Sequence, residues 1–277
     1  IAGSVSTVKS EKLENVPTAS FDQALQGQTP GLTVMAASGE PSRAATVQIR
    51  GTNSINSGTT PLFILDGVPV ESSSFNSINP SDIESISVLK DASSTSIYGA
   101  RAANGVVVIT TKRGRNVGDA NVTFRGQWGF SQLAGSNWDM MNTTERIQYE
   151  KEIGLDLGDE YYDKVKGIDV NWMDEVFNNN APTQCYELSV NGATDKTNYY
   201  VSGGFFDQDG ITFGSSFRRY NVRANVENRA KEWLKLGTST MLAYQETEQA
   251  VDGDRKSTRL NSSHITISYA VICLKKK

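Results

Sequence analysis

The feature that most restricts this chain is a change of hydrophobic rhythm at Gly114. Before it, apolar residues fall in short continuous runs; after it, they alternate strictly with polar ones. Val122, Phe124, Trp128 and Phe130 share one parity, and Asn121, Thr123, Arg125 and Gln127 share the other. Successive side chains of a strand point to opposite faces, so the segment reads as a strand with one apolar and one polar face. The pattern returns with Tyr186, Leu188 and Val190 against Glu187, Ser189 and Asn191. It returns again with Tyr220, Val222, Ala224 and Val226 against Arg219, Asn221, Arg223 and Asn225. Weaker versions cover Asn198 to Phe206 and Trp233 to Gln245. The expected connections, near 132–184, 192–197, 207–216 and 228–232, alternate between long and short. Two architectures fit. One is a soluble antiparallel sheet with one wet face. The other is the opening stretch of an outer-membrane barrel, which joins its strands by short turns at one end and longer loops at the other and turns its apolar face to lipid.

Residues 1–114 read as a compact α+β unit. Strands are expected at Leu32–Met35, Thr46–Arg50, Pro61–Leu65, Ser85–Leu89 and Gly105–Thr111. The last holds Val106, Val107, Val108 and Ile109 in a row, as expected of a strand buried on both faces. Turn signals stand at Ser38-Gly39, Asp66-Gly67 and Asn104-Gly105. Ser20 with Gln23, and Ser81 with Glu84, match the capping-box spacing and predict two short helices. Within the first long connection, Asn142 to Ile153 has helical residue types.

Catalytic chemistry finds little material. The chain has one histidine, His264, and two cysteines, Cys185 and Cys273, with no CxxC pair. Cys/His metal sites and histidine-dependent triads are therefore starved. Ser93, Ser94 and Ser96 have no histidine partner, and Asp82, Glu84 and Asp91 lack the spacing of a calcium loop. Those carboxylates are expected at helix caps and in solvent. Neither an enzyme nor a cofactor is expected. A net charge of -4 with scattered Lys and Arg argues against a nucleic-acid partner, which needs a basic footprint.

The stretch from Asp82 to Gly114, with its Ile97-Tyr98-Gly99 corner, its Ala-rich turn through Asn104-Gly105 and its Val-Ile-Thr-Thr-Lys strand, resembles the end of the plug in TonB-dependent receptors of the SusC/RagA branch. Further matches lie at Leu25 to Leu32, at the Ile49-Arg50-Gly51 motif and at Pro61 to Pro69 around Asp66-Gly67. The resemblance covers residues 1 to about 254. It implies an α+β plug at 1–114, followed at 115–254 by the first antiparallel strands of a transmembrane β-barrel that has 22 strands in the intact family. With about five strand candidates, this stretch is expected not to close a barrel or form a pore by itself.

The resemblance further implies a role in nutrient import, with an oligosaccharide or peptide as cargo. The partners implied are the TonB–ExbB–ExbD complex, a SusD-like surface lipoprotein and the lipid of the outer membrane. Arg50 is implied at the plug–barrel interface, opposite acidic barrel residues; the other reading is a solvated strand-end arginine. Gly51, Asp66, Gly67, Tyr98, Gly99, Asn104 and Gly105 are read as plug scaffold. Trp138 and Trp172 in the first long loop offer aromatic faces to a sugar, or pack as loop core. Residues 255–277 reverse the charge balance and bring the lone histidine. They resemble translated read-through of vector or adapter sequence, with a genuine strand at Ile265–Leu274 as the competing reading. A soluble or surface β-rich binding module is the alternative for the whole chain.

Overall fold

The structure is a computed structural model that describes residues 5–13, 20–35, 40–41, 43, 45–51, 59–91, 95–114, 118–134, 140–155, 157–165, 167–168, 172–250, 259–268 and 275–276. Positions 12–13, 73, 172, 250, 259–268 and 275–276 are described by their backbone course alone. The Ser38-Gly39 turn signal and Trp138 lie outside the described residues, as does the side chain of Trp172.

The N-terminal unit is built on a five-stranded sheet in the order β1-β6-β7-β4-β5. Its strands are β1 (Val5–Lys9), β4 (Leu62–Leu65), β5 (Val68–Val70), β6 (Ile83–Leu89) and β7 (Val106–Thr111). β7 is central, parallel to β4 and antiparallel to β6, which accounts for its unbroken apolar run. A separate ribbon pairs β2 (Leu32–Met35) with β3 (Thr46–Ile49). Leu32 and Val34, paired with Ile49 and Val47 on one face of the ribbon, turn into the core with Leu25, Ile78, Ile83 and Ile86. Phe75 meets Phe21 and Phe63 edge-on, at ring distances of 4.7 and 4.3 Å.

Two expectations fail here. Ser20 precedes a single helical turn, Phe21–Ala24, but its hydroxyl bonds the Asp22 carboxylate and caps no backbone N–H. Ser81 opens no helix. Pro80–Asp82 is one 3-10 turn, capped by Asn79, whose side chain accepts from the Ser81 N–H at 3.3 Å, and Glu84 already belongs to β6. Asn-Pro starts a turn, and Ile83, Ile86 and Val88 then continue as a strand whose register shifts between Ile83 and Ser85.

Beyond Gly114 the chain forms an antiparallel meander, β8 (Asn121–Ser131), β9 (Ala181–Ala193), β10 (Thr197–Asp209), β11 (Ser216–Lys231) and β12 (Leu234–Ala250). The backbone of β13 (Arg259–Ser268) pairs with the far part of β12, and β14 (Lys275–Lys276) pairs with its start. The connections at 194–196 and 232–233 are short, and 132–180 is long. That long loop carries a helix at Thr143–Glu152 with a capping box at Asn142 and Glu145. It is pinned to the 210–215 turn by a bridge between Phe177 and Thr212.

The burial of this wall is inverted relative to a water-soluble sheet. On β11, Arg219 and Arg223 are 1% and 2% exposed, while Tyr220 and Val222 between them are 48% and 53% exposed. On β8, Phe124 and Trp128 each stand 70% exposed. A sheet that buries arginines and displays its apolar face has its outside adapted to lipid, which removes the wet-face alternative. Tyr186, Phe205, Tyr220 and Tyr244 form a cross-strand aromatic row on this outer face. One step beyond it lies the row Gln184, Asp207, Arg218 and Glu246. From Arg218 to Asn228 the outer face of β11 carries only Tyr220, Val222, Ala224 and Val226. That stretch is roughly 33 Å along the strand, or about 25 Å tall at the usual barrel tilt.

Candidate functional site

The polar inner face of β10 and β11 does not meet water. It meets the N-terminal unit, and the two are stitched along a seam of buried polar groups. Arg223 places Nη2 2.8 Å from Asp66 Oδ2 and 3.0 Å from Thr111 Oγ1. Asp66 occupies the turn between β4 and β5 with φ 49, followed by Gly67 with φ 92, which gives the two-residue hairpin expected of Asp-Gly. That backbone aims the carboxylate at the end of β7, where it accepts from the Thr111 N–H at 3.0 Å and hydroxyl at 2.6 Å. Asn225, two residues along β11, donates to Thr111 Oγ1 and to the Lys112 carbonyl at 3.1 and 2.8 Å, and is itself held by Ser239 of β12.

Further along the seam, Asp82, the last residue of the 3-10 turn before β6, accepts from Tyr200 Oη at 2.9 Å and Ser202 Oγ at 2.5 Å, both on β10. Burial pushes its carboxyl above the ordinary 3.8, and the charge of Glu187 adds to this, against the bonds from Ser202 and Tyr200 and the charge of Arg223. Arg219 donates to the carbonyls of Asn76 and Ile78, where the 3-10 helix Ser72–Ser77 ends. Its guanidinium also lies 5.5 and 5.9 Å from the Phe206 and Phe217 rings. The arrangement holds two bodies together through polar contacts. It aligns no nucleophile with a base.

Comparison with known proteins follows the same division. The model of the TonB-dependent Receptor Plug Domain matches residues 1–106. TonB-dependent receptor P26 of Formosa agariphila is 34% identical over 258 residues, covering 91% of this chain and 26% of that protein. TonB-dependent receptor SusC of Bacteroides thetaiotaomicron is 33% identical over 82% of this chain and 23% of its own length. The structure of the RagAB peptide importer in the "open-open" state superposes with a TM-score of 0.83 at 37% identity, over 92% of this chain and 32% of that one. The chain belongs to the SusC/RagA-like TonB-dependent receptors. It spans about a quarter of the length of the curated relatives it matches. The N-terminal unit is the receptor's plug, the meander is an unclosed run of barrel strands, and the relatives are receptors and an importer, not enzymes.

In this TonB-dependent receptor Arg50, implied at the plug–barrel interface or else read as a solvated strand-end arginine, bonds Asp91 of the plug at 2.9 Å in an exposed pair. Its backbone has φ 59 and leads into Gly51 at φ 80, an uncommon conformation for a side chain other than Gly. Asp82, expected in solvent at a helix cap, is a buried docking group instead. Gly99 (φ 69) and Gly105 (φ 92) take backbone shapes that suit glycine, Asn104 lies in the turn before Gly105, and Tyr98 packs beside Ile64 and Val106. Arg219, Arg223 and Asn225 were missed as site residues, although their shared polar face was readable: opposite a lipid-facing row, such residues need a polar partner inside.

Proposed function

We propose that the complete receptor sits in the outer membrane and imports an oligosaccharide or peptide, with its plug released from the wall during each cycle. The observation that carries this reading is the seam: the plug is tied to β10 and β11 chiefly by hydrogen bonds and the Arg223–Asp66 pair, contacts that water can replace once the plug moves. Release is driven in this reading by the TonB–ExbB–ExbD complex acting from the N-terminal side, where β1 is an edge strand held to β6 by five residue pairs. A SusD-like lipoprotein covers the extracellular mouth, as the similarity to RagAB and SusC supports. Arg50, once the remaining strands surround the plug, exchanges Asp91 for a barrel carboxylate, and Trp138 and Trp172 contact cargo from the first loop.

Deletion of the gene in its host should abolish growth on one polymer class, either a glycan or a peptide mixture, and a complementing copy should restore it only in cells with intact TonB. Undiminished uptake without TonB would overturn the proposal. Residues 255–277 are, in this reading, not native to the receptor. Long-read sequencing of the locus should carry the frame past Asp254 into further alternating strands.

A further inference from the structure

Next to the Arg223–Asp66 pair, a cavity of about 780 Å³ separates the β4–β5 turn from β11 and β12. Asp66, Pro69, Glu71 and Ser74 line it from the plug, and Arg223 and Ser239 line it from the wall. It reaches Asn198, Glu227 and Lys235, close to the short connections at 194–196 and 232–233. In outer-membrane barrels the short turns face the periplasm, so this is a space at the periplasmic end of the seam. The pair that joins plug to wall is therefore also part of the cavity's boundary.

The lining lacks what a binding site needs. Most of its charges are spent on one another: Lys235 lies 3.3 Å from Glu227, Arg113 lies 4.0 Å from Glu227, and Arg223 holds Asp66, while Arg101 and Glu71 stand at exposed positions on its rim. The strand that borders it, β5, is the last of its sheet, and an open strand edge invites pairing by any extended chain. Leu65 and Val68 close the two-residue turn, so the next pair, Ile64 with Pro69, is the one whose backbone groups point away from each other and outward. Position 69 is proline and offers no N–H there. The edge toward the cavity thereby keeps the Pro69 carbonyl but loses its outward donor, and a chain passing along it finds little to grip.

We propose that this cavity is the periplasmic segment of the cargo's path, with the β4–β5 turn as its gate. When Asp66 leaves Arg223, the turn moves off β11 and β12 and the cavity joins the lumen above it. Extended oligomers pass without pairing to β5. The proposal rests on the import reading and adds to it the place of passage.

The test uses the complete receptor with its native cysteines replaced and single Glu71→Cys or Ser74→Cys substitutions, labelled with either a small methylthiosulfonate or a bulky maleimide. Asp195→Cys, in the 194–196 turn at the same end of the barrel and outside the cavity, is the control. The bulky label at 71 or 74 should reduce cargo uptake to the level of cells lacking the receptor, while the small label, and either label at 195, should leave it unchanged. Full uptake with the bulky label at both 71 and 74 would overturn the passage and leave the import reading standing. An unlabelled receptor that takes up neither peptide nor glycan would overturn both.

Discussion

Arg223 of β11 crosses from the wall to the plug and brings Nη2 to 2.8 Å from Asp66 Oδ2, with the guanidinium 2% and the carboxylate 12% exposed. Two charges so far removed from water are each costly alone and tolerable together. Arg223→Ala should therefore weaken plug docking by about 3 kcal/mol, because it strands the carboxylate of Asp66. Asp66→Asn should cost at least as much, since it strands the more deeply buried guanidinium of Arg223. Protease nicking of the plug in detergent-solubilised receptor would report the order, and equal resistance of Arg223→Ala and wild type would refute the coupling.

Docking should also depend on pH through Asp82. Its carboxyl binds a proton more tightly when docked than when released, because burial raises its pKa above 3.8. The contribution is then fully present below 3.8 and is lost as pH rises through the raised docked value. Hydrogen exchange at β6, followed across that range, should show the plug loosening as pH rises. Asp82→Asn should flatten the response; a variant that keeps the wild-type slope would exclude Asp82 as the titrating group.

Two glycines should separate plug stability from plug placement. A methyl group on Gly105 would stand 2.7 Å from Ile49 Cδ1 and 3.2 Å from the Leu89 carbonyl, at a φ of +92 that disfavours any side chain. One on Gly114 would stand 2.6 Å from the Tyr199 backbone nitrogen, with the Gly192 carbonyl closer still. Gly105→Ala should lower the plug's own melting temperature. Gly114→Ala should leave the isolated plug fold intact and prevent its linker from lying against β9 and β10, which a loss of hydrogen-exchange protection at the Gly118 amide, bonded to the Ala193 carbonyl, would reveal.

The outer face makes a separate demand. Val222→Arg places a charge midway between the rows that bound the apolar band and should cost about 2–4 kcal/mol of folding in bilayers. Arg218→Lys, at the rim, should fold as wild type does. Heat-modifiable gel mobility after refolding into vesicles would distinguish them; equal folding of both variants would argue that Val222 does not face lipid.

These relationships were unevenly legible in the sequence. Strands β2, β4 and β7 stood out because their apolar runs are continuous or cleanly alternating, and β8 to β12 because each shows one parity of apolar residues. β1 was missed because Val-Ser-Thr-Val-Lys is short and half polar, and β5 because proline within a run argues against a strand. Capping-box spacing misled at Ser81, where the same residue types serve a single turn before β6. The site was half visible: β11 displayed Arg219, Asn221, Arg223 and Asn225 on one face, but nothing local named their partners. Tyr200 lies 118 positions from Asp82, and Arg223 lies 157 from Asp66. Only the fold brings such residues together.

Those separations also set an order of events during assembly. The plug's own core residues, from Val8 to Ile109, all precede β8 in the chain, with Met241 of β12 packing onto them later, whereas the plug's attachment waits for β10, β11 and β12. Until they arrive, Asp82 has neither Tyr200 nor Ser202 and Asp66 has no arginine. The newborn plug is then a finished body with no berth. It must stay folded beside strands whose greasy sides are still open to water, so the safeguard against clumping during export belongs to the unfinished wall and not to the plug.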